Sequence, residues 1–160
     1  MIASPAVHDA PLAVTTDLTT LRTKGPEQFI DLTDWAAERV RRSGIRHGLA
    51  SIQVQHTTAA LAVNEDEPLL IEDLHRLLSR LAPPDVRYGH DDLTRRGAPA
   101  GERPNGAAHC RGLLLGVSQT FHVIDGALRL GRWQRLFLVE LDGPRPRNLS
   151  IVVLGARADG

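Results

Sequence analysis

Three histidines, His56, His90 and His109, stand at comparable places in the chain. His56 falls at the end of an apparent strand, His90 within a long polar loop, and His109 where that loop turns into an apolar run. Each has a polar neighbour: Thr57 and Thr58 beside His56, Asp91 beside His90, Asn105 near His109. A neutral imidazole ligates zinc or another divalent ion, and three of them with a water make a catalytic zinc set. The same side chain carries protons near neutral pH, so a general acid or base is the alternative. The spacing of the three matches no local zinc motif, so any convergence has to come from the fold.

Asn64-Glu65-Asp66 supplies acids. A carboxylate there could act as a general base or hold magnesium beside a phosphate. The plainer reading is that Asp66 caps the following helix and Glu65 favours its N-terminal dipole. Arg145 and Arg147 flank a proline in a turn and could clamp a phosphate, or simply be solvated. Trp133-Gln134 follows a glycine turn, and such a Trp is more often core than a ligand stack. The single cysteine, Cys110, excludes an internal disulfide and a multi-cysteine metal site. On an extended strand it would point away from its neighbour His109, so it reads as a small buried hydrophobe.

The elements that position these residues are mostly strands. Leu12–Thr23 is rich in Thr, Val and Leu, and Gln28–Leu32 follows a Lys24-Gly25-Pro26 turn. A helix is expected over Asp34–Ser43, capped by Thr33 or Asp31 and stopped by Gly44. Gly48–His56 alternates, Ala59–Val63 forms a second apolar segment, and Asp66–Leu81 carries a leucine stripe of helical period with His75 off it, towards solvent. Asp85–Ala108 is long and irregular, which in a small domain points to function or disorder, and its Tyr88, His90, Asp91 and Asp92 favour function. Three apolar runs follow, Leu113–Val123, Arg132–Leu141 and Asn148–Leu154. The expected organisation is a tail over residues 1–11 and one domain over residues 12–156.

Lys plus Arg and Asp plus Glu number 19 each in 160 residues, so nothing calls for nucleic acid or an anionic membrane as a partner. No signal peptide or long apolar span is present, which predicts a cytoplasmic protein.

Several stretches in register resemble the YjbQ-like family: Gln55-His56-Thr57-Thr58-Ala59-Ala60-Leu61 with Val63-Asn64-Glu65, Tyr88-Gly89-His90-Asp91, Asn105 and His109 with Leu114-Leu115-Gly116-Val117-Ser118, and Gly126, Leu130-Gly131, Trp133-Gln134 with Asp142-Gly143-Pro144-Arg145. The resemblance implies an α+β fold of two packed, mainly antiparallel sheets with two helices. It also implies a homotrimer with polar sites near subunit boundaries, and a weak thiamin-phosphate synthase activity that joins a pyrimidine pyrophosphate to a thiazole phosphate. With it, the candidate catalytic residues are His56, Glu65, His90 and His109. Thr57, Asn64, Asn105, Gln134 and Arg145 are the candidate contacts to a small phosphorylated molecule, and His56, His90 and His109 the candidate ligands of a zinc or magnesium ion. Arg132 replaces the Thr usual in the family, and His122 is an individual feature outside the site. A metal-dependent hydrolase and a non-catalytic metal- or small-ligand-binding trimer are the alternatives.

Overall fold

The computed structural model describes residues 11–157. The expected tail therefore lies outside the described residues except for Pro11. Eight strands, three α-helices and one short 3-10 turn follow in order: β1 (Leu12–Arg22), β2 (Gln28–Asp31), α1 (Thr33–Ser43), β3 (Ile45–Val54), β4 (Ala59–Asn64), α2 (Pro68–Leu81), the turn Gly89–Asp91, α3 (Gly106–Leu115), β5 (Ser118–Ile124), β6 (Ala127–Leu128), β7 (Arg135–Glu140) and β8 (Pro146–Arg157). A five-stranded sheet has the order β1-β8-β3-β5-β6 and a three-stranded sheet the order β2-β7-β4. Every pairing is antiparallel. This is the expected α+β architecture.

Side-chain alternation on β8 sends Leu149, Ile151 and Val153 inwards, where they meet Leu61 and Leu138 of the small sheet and Ala36 and Val40 of α1. Fully burying one such side chain contributes about 1.5–3 kcal/mol. The small sheet is covered on its other face as well. There Phe137, Val139 and Ala60 pack against Leu78 of α2 and Ala108 of α3. Burial on both faces explains why Leu136–Glu140 is a continuous buried run. The outer face of the large sheet has no such cover: Leu12, Val14 and Leu18 are exposed there.

Local chemistry sets the boundaries. Asp31 Oδ1 accepts the Thr33 N–H at 2.7 Å, while the Thr33 hydroxyl accepts the Leu136 N–H. Gly44 ends α1 at φ 69°, a conformation that costs glycine little. The second helix begins at Pro68, and Glu67, rather than Asp66, caps it by accepting the Leu69 and Leu70 N–H groups. Proline at the first helical position explains the later start.

His75 does not face solvent as expected. It lies edge-on to Phe29 with ring centroids 5.1 Å apart, and its Nδ1 is 3.7 Å from Glu27.

The largest difference lies at residues 106–115. The sequence predicts a strand beginning at His109, whereas Gly106–Leu115 is a third helix. Two causes combine. Ala and Leu are good helix formers, and Asp91 Oδ1 accepts the Asn105 and Gly106 N–H groups at 3.0 and 2.8 Å, anchoring the helix start from fourteen residues away. Gly116 then ends the helix and β5 starts at Ser118. Helical geometry also turns Cys110 outwards, so it is exposed instead of buried. In its place Arg111 points inwards, 2% exposed, donating to Ala82 O and pairing with Glu27.

Candidate functional site

Four segments converge beyond the end of β3. Three of them are held together by backbone hydrogen bonds: Val54 N–H donates to Val117 O and Gln55 N–H to Asn148 O. A cleft of about 610 Å³ opens there, lined among others by His56, Thr57, Asn105, His109, Arg145 and Arg147. The chain therefore brings five of its candidate residues, His56, Thr57, Asn105, His109 and Arg145, to one place.

His56 is held by an unexpected partner. Its Nε2 accepts the backbone N–H of Asn148 at 2.8 Å. A neutral imidazole has one acceptor nitrogen, so its proton must sit on Nδ1. Burial lowers its pKa, and the positive charges of Arg147 and Arg145 add to that. His56 is thus a neutral donor facing the cleft.

His109 stands on the first turns of α3. The His90 ring lies 4.5 Å from it, centroid to centroid, at 66°. Burial lowers the His109 pKa, and the proximity of His90 lowers it further. A neutral His109 can take a proton or donate one hydrogen bond. His90 itself is exposed and backs His109 from the 3-10 turn.

Arg145 and Arg147 have separate roles, although they are two residues apart. Arg147 is 1% exposed and Glu140 is fully buried. The guanidinium pairs with Glu140, with Nε donating at 2.6 Å, and it donates to the Thr58 hydroxyl and carbonyl, both at 3.2 Å. Burial pulls the Glu140 pKa upwards, but hydrogen bonds from Arg147, the Asp142 and Gly143 N–H groups and Thr23 overcome it and hold the carboxyl at about 2. Arg147 is therefore a strut of the cleft floor. Arg145 remains partly exposed, its guanidinium 2.5 Å from Asp142. The same carboxylate lies 3.3 Å from Arg103 and accepts Asn105 Nδ2 at 3.4 Å. Asn105 Oδ1 is buried and has no hydrogen-bond partner among the described residues.

The remaining candidates lie elsewhere. On β4, Ala59 pairs with Glu140 near the cleft, whereas Asn64 pairs with Arg135 at the opposite end. At about 3.3 Å per residue the two ends are some 16 Å apart. Asn64 Oδ1 accepts the Glu65 N–H there, and Gln134 Oε1 accepts the Gly131 N–H, which are local turn contacts. Trp133 is 60% exposed and not core, with the Arg132 guanidinium 4.7 Å above its ring. His122 sits on β5 opposite Leu49, away from the cleft.

The donor set of one chain does not fit a three-histidine metal site. The ligating nitrogen of His56 is occupied by Asn148 N–H, and no group of three His, Cys, Asp or Glu that could hold a metal occurs among the described residues.

Known proteins share this arrangement of elements. Residues 17–156 match the family described as UPF0047 protein YjbQ-like. A UPF0047 protein of Methanothermobacter thermautotrophicus is 38% identical over 135 residues, 84% of this chain and 88% of that one. The chain belongs to the YjbQ-like UPF0047 family. Within this family, the UPF0047 protein YugU of Bacillus subtilis is 32% identical, over 84% of this chain and 96% of its own length. A YbjQ-like protein of unknown function from Sulfolobus solfataricus superposes with a TM-score of 0.82 at 34% identity, covering 91% of this YjbQ-like chain and 99% of that chain. A hypothetical protein of Aeropyrum pernix gives 0.77 at 35% identity, covering 88% and 98%.

Reasoning from sequence missed Glu140 and Asp142 as site residues, and it singled out Asp91 without its role of holding the start of α3. Asp142 does stand in the quoted Asp-Gly-Pro-Arg stretch, which was the available signal. Glu140 carried none, because an acid at the end of an apolar strand looks like a boundary residue.

Proposed function

We propose that this YjbQ-like chain is an enzyme of small phosphorylated molecules. The cleft holds the phosphate against Arg145 and Thr57, and neutral His109 handles a proton or hydrogen bond at the reacting group. The observation that supports this reading most directly is that a guanidinium with exposed surface and a neutral imidazole line the same cleft. Charge developing on a leaving phosphate is stabilised best by a cation already fixed in place.

A thiamin-phosphate synthase reaction belongs to this class. A pyrimidine pyrophosphate loses pyrophosphate, which Arg145 neutralises, and a thiazole phosphate takes its place. The test supplies both substrates with magnesium and follows pyrophosphate release. Release that needs the thiazole phosphate supports the synthase. Release without it makes the chain a hydrolase, with His109 as the base on water. No release from either mixture leaves a binding protein, the non-catalytic alternative.

The working form is a homotrimer in the cytoplasm. What supports assembly is the uncovered outer face of the large sheet, where Leu12, Val14 and Leu18 are exposed. Among the described residues no helix is long and apolar enough to cross a membrane. Assembly also gives Asn64, Glu65 and Gln134 a route to a cleft, that of a neighbouring copy. Light scattering at several concentrations checks the oligomeric state.

A further inference from the structure

The loop that carries Asp142 and Arg145 has little regular structure of its own, yet each of its backbone N–H groups, those of Asp142, Gly143 and Arg145, has an acceptor. Glu140 Oε1 accepts the Asp142 N–H at 2.9 Å and the Gly143 N–H at 2.6 Å. Glu140 Oε2 accepts the hydroxyl of Thr23, at 2.8 Å. That hydroxyl in turn accepts the Arg145 N–H, also at 2.8 Å, and Thr23 N–H donates to Arg145 O at 3.0 Å. Thr23 is 2% exposed and Glu140 fully buried, and neither lines the cleft.

One carboxylate and one hydroxyl therefore satisfy all three of these N–H groups. The result is a fixed Asp142, which in turn holds Arg145 at 2.5 Å and Arg103 at 3.3 Å. A flexible loop would have to order its arginines on each binding event, and that ordering subtracts from affinity. Supporting groups behind a site act by removing this penalty.

We propose that Glu140 and Thr23 are positioning residues for the anion subsite: they hold the loop from Asp142 to Arg145 so that the Arg145 guanidinium is preset for a phosphate. This rests on the reading of the cleft as a phosphate site. Thr23 gives the cleaner test, because Thr23→Val removes only the hydroxyl and keeps the side chain's shape and the backbone bond from Thr23 N–H. Thr23→Ser keeps the hydroxyl.

Two quantities are measured for the full chain and both variants: pyrophosphate affinity by calorimetry and hydrogen exchange of the Arg145 N–H. Thr23→Val is expected to weaken pyrophosphate binding about fivefold to tenfold, the worth of one hydrogen bond, and to speed exchange at Arg145. Thr23→Ser should restore both, which loss of packing alone would not predict. Unchanged affinity in Thr23→Val overturns the proposal, as does failure of Thr23→Ser to restore it. Wild-type protein that takes up no pyrophosphate removes the phosphate reading instead. The positioning of the loop is then decided by exchange alone: faster exchange in Thr23→Val supports it and an unchanged rate overturns it.

Discussion

The two ends of the small sheet use polar residues differently. At the cleft end, β7 finishes in Glu140, which with Arg147, Thr58 and Thr23 forms a buried, mutually satisfied network. At the other end, the side-chain oxygens of Asn64 and Gln134 accept from nearby backbone N–H groups, those of Glu65 and Gly131, and Asn64, Glu65 and Gln134 lie near the surface. Buried networks rigidify what they touch, because each unpaired member would be costly. Exposed turn contacts contribute little rigidity. The contrast indicates that the preorganised part of the small sheet is its Glu140 end.

The strongest way to break this contrast is to remove the buried acid. Glu140→Ala leaves Arg147 buried without its counter-charge and should cost about 3–5 kcal/mol in urea unfolding, whereas Glu65→Ala at the far end should stay within about 0.5 kcal/mol. Equal effects would erase the distinction. Acid acts on the same pair. The Glu140 carboxyl is held at about 2 against an ordinary 4.5, so its stabilisation is full above the ordinary value and is lost as pH falls through that window.

Function offers the next test. His109→Ala should lower turnover by about a hundredfold or more if His109 moves a proton, with the oligomer intact by light scattering. Loss of the oligomer with the activity would assign His109 to an interface. The far end is then probed by mixing. Where a neighbouring copy supplies Glu65, co-refolded His109→Ala and Glu65→Ala chains regain part of the turnover that neither shows alone. No recovery, with Glu65→Ala active on its own, confines the site to the cleft end.

Smaller effects sharpen the picture. The His109 pKa lies below its usual position, because burial and His90 disfavour the charged form. A His109-dependent activity should therefore persist at pH values somewhat below the ordinary imidazole range, and extend less far down in His90→Ala, which removes one of the lowering influences. Stability linked to His109 runs the same way: it is full above the unfolded pKa and falls as pH drops. Zinc or a chelator should leave the melting temperature nearly unchanged, since binding that stabilises the folded state would raise it. A clear rise with zinc would show that assembly builds a metal site absent from one chain.

Much of the framework was legible in the residues. Alternation along Gly48–His56, the apolar run Asn148–Leu154, the Gly44 stop and the leucine stripe of α2 all reappear in the fold, because they follow from local periodicity and backbone preference. Trp133 was misread because core and surface tryptophans look alike until the partner surface is known. The strand expected at His109 failed for a different reason. Its apolar run has no decisive period, and the deciding group, Asp91, is distant in sequence.

The same division applies to the site. Residue types and their order placed imidazoles, an amide and a guanidinium on the chain and tied it to its family, since those properties are carried by single residues and short stretches. Which of them meet was settled only by tertiary structure. Arg145 and Arg147 are near neighbours with the same chemistry, yet one faces a cleft and the other is a buried strut, because Glu140 on β7 approaches one guanidinium and Asp142 the other. His56 and His109 share a wall while Glu65 does not, because β4 runs its full length between them. Long-range pairing of strands sets those distances, and no local pattern encodes it.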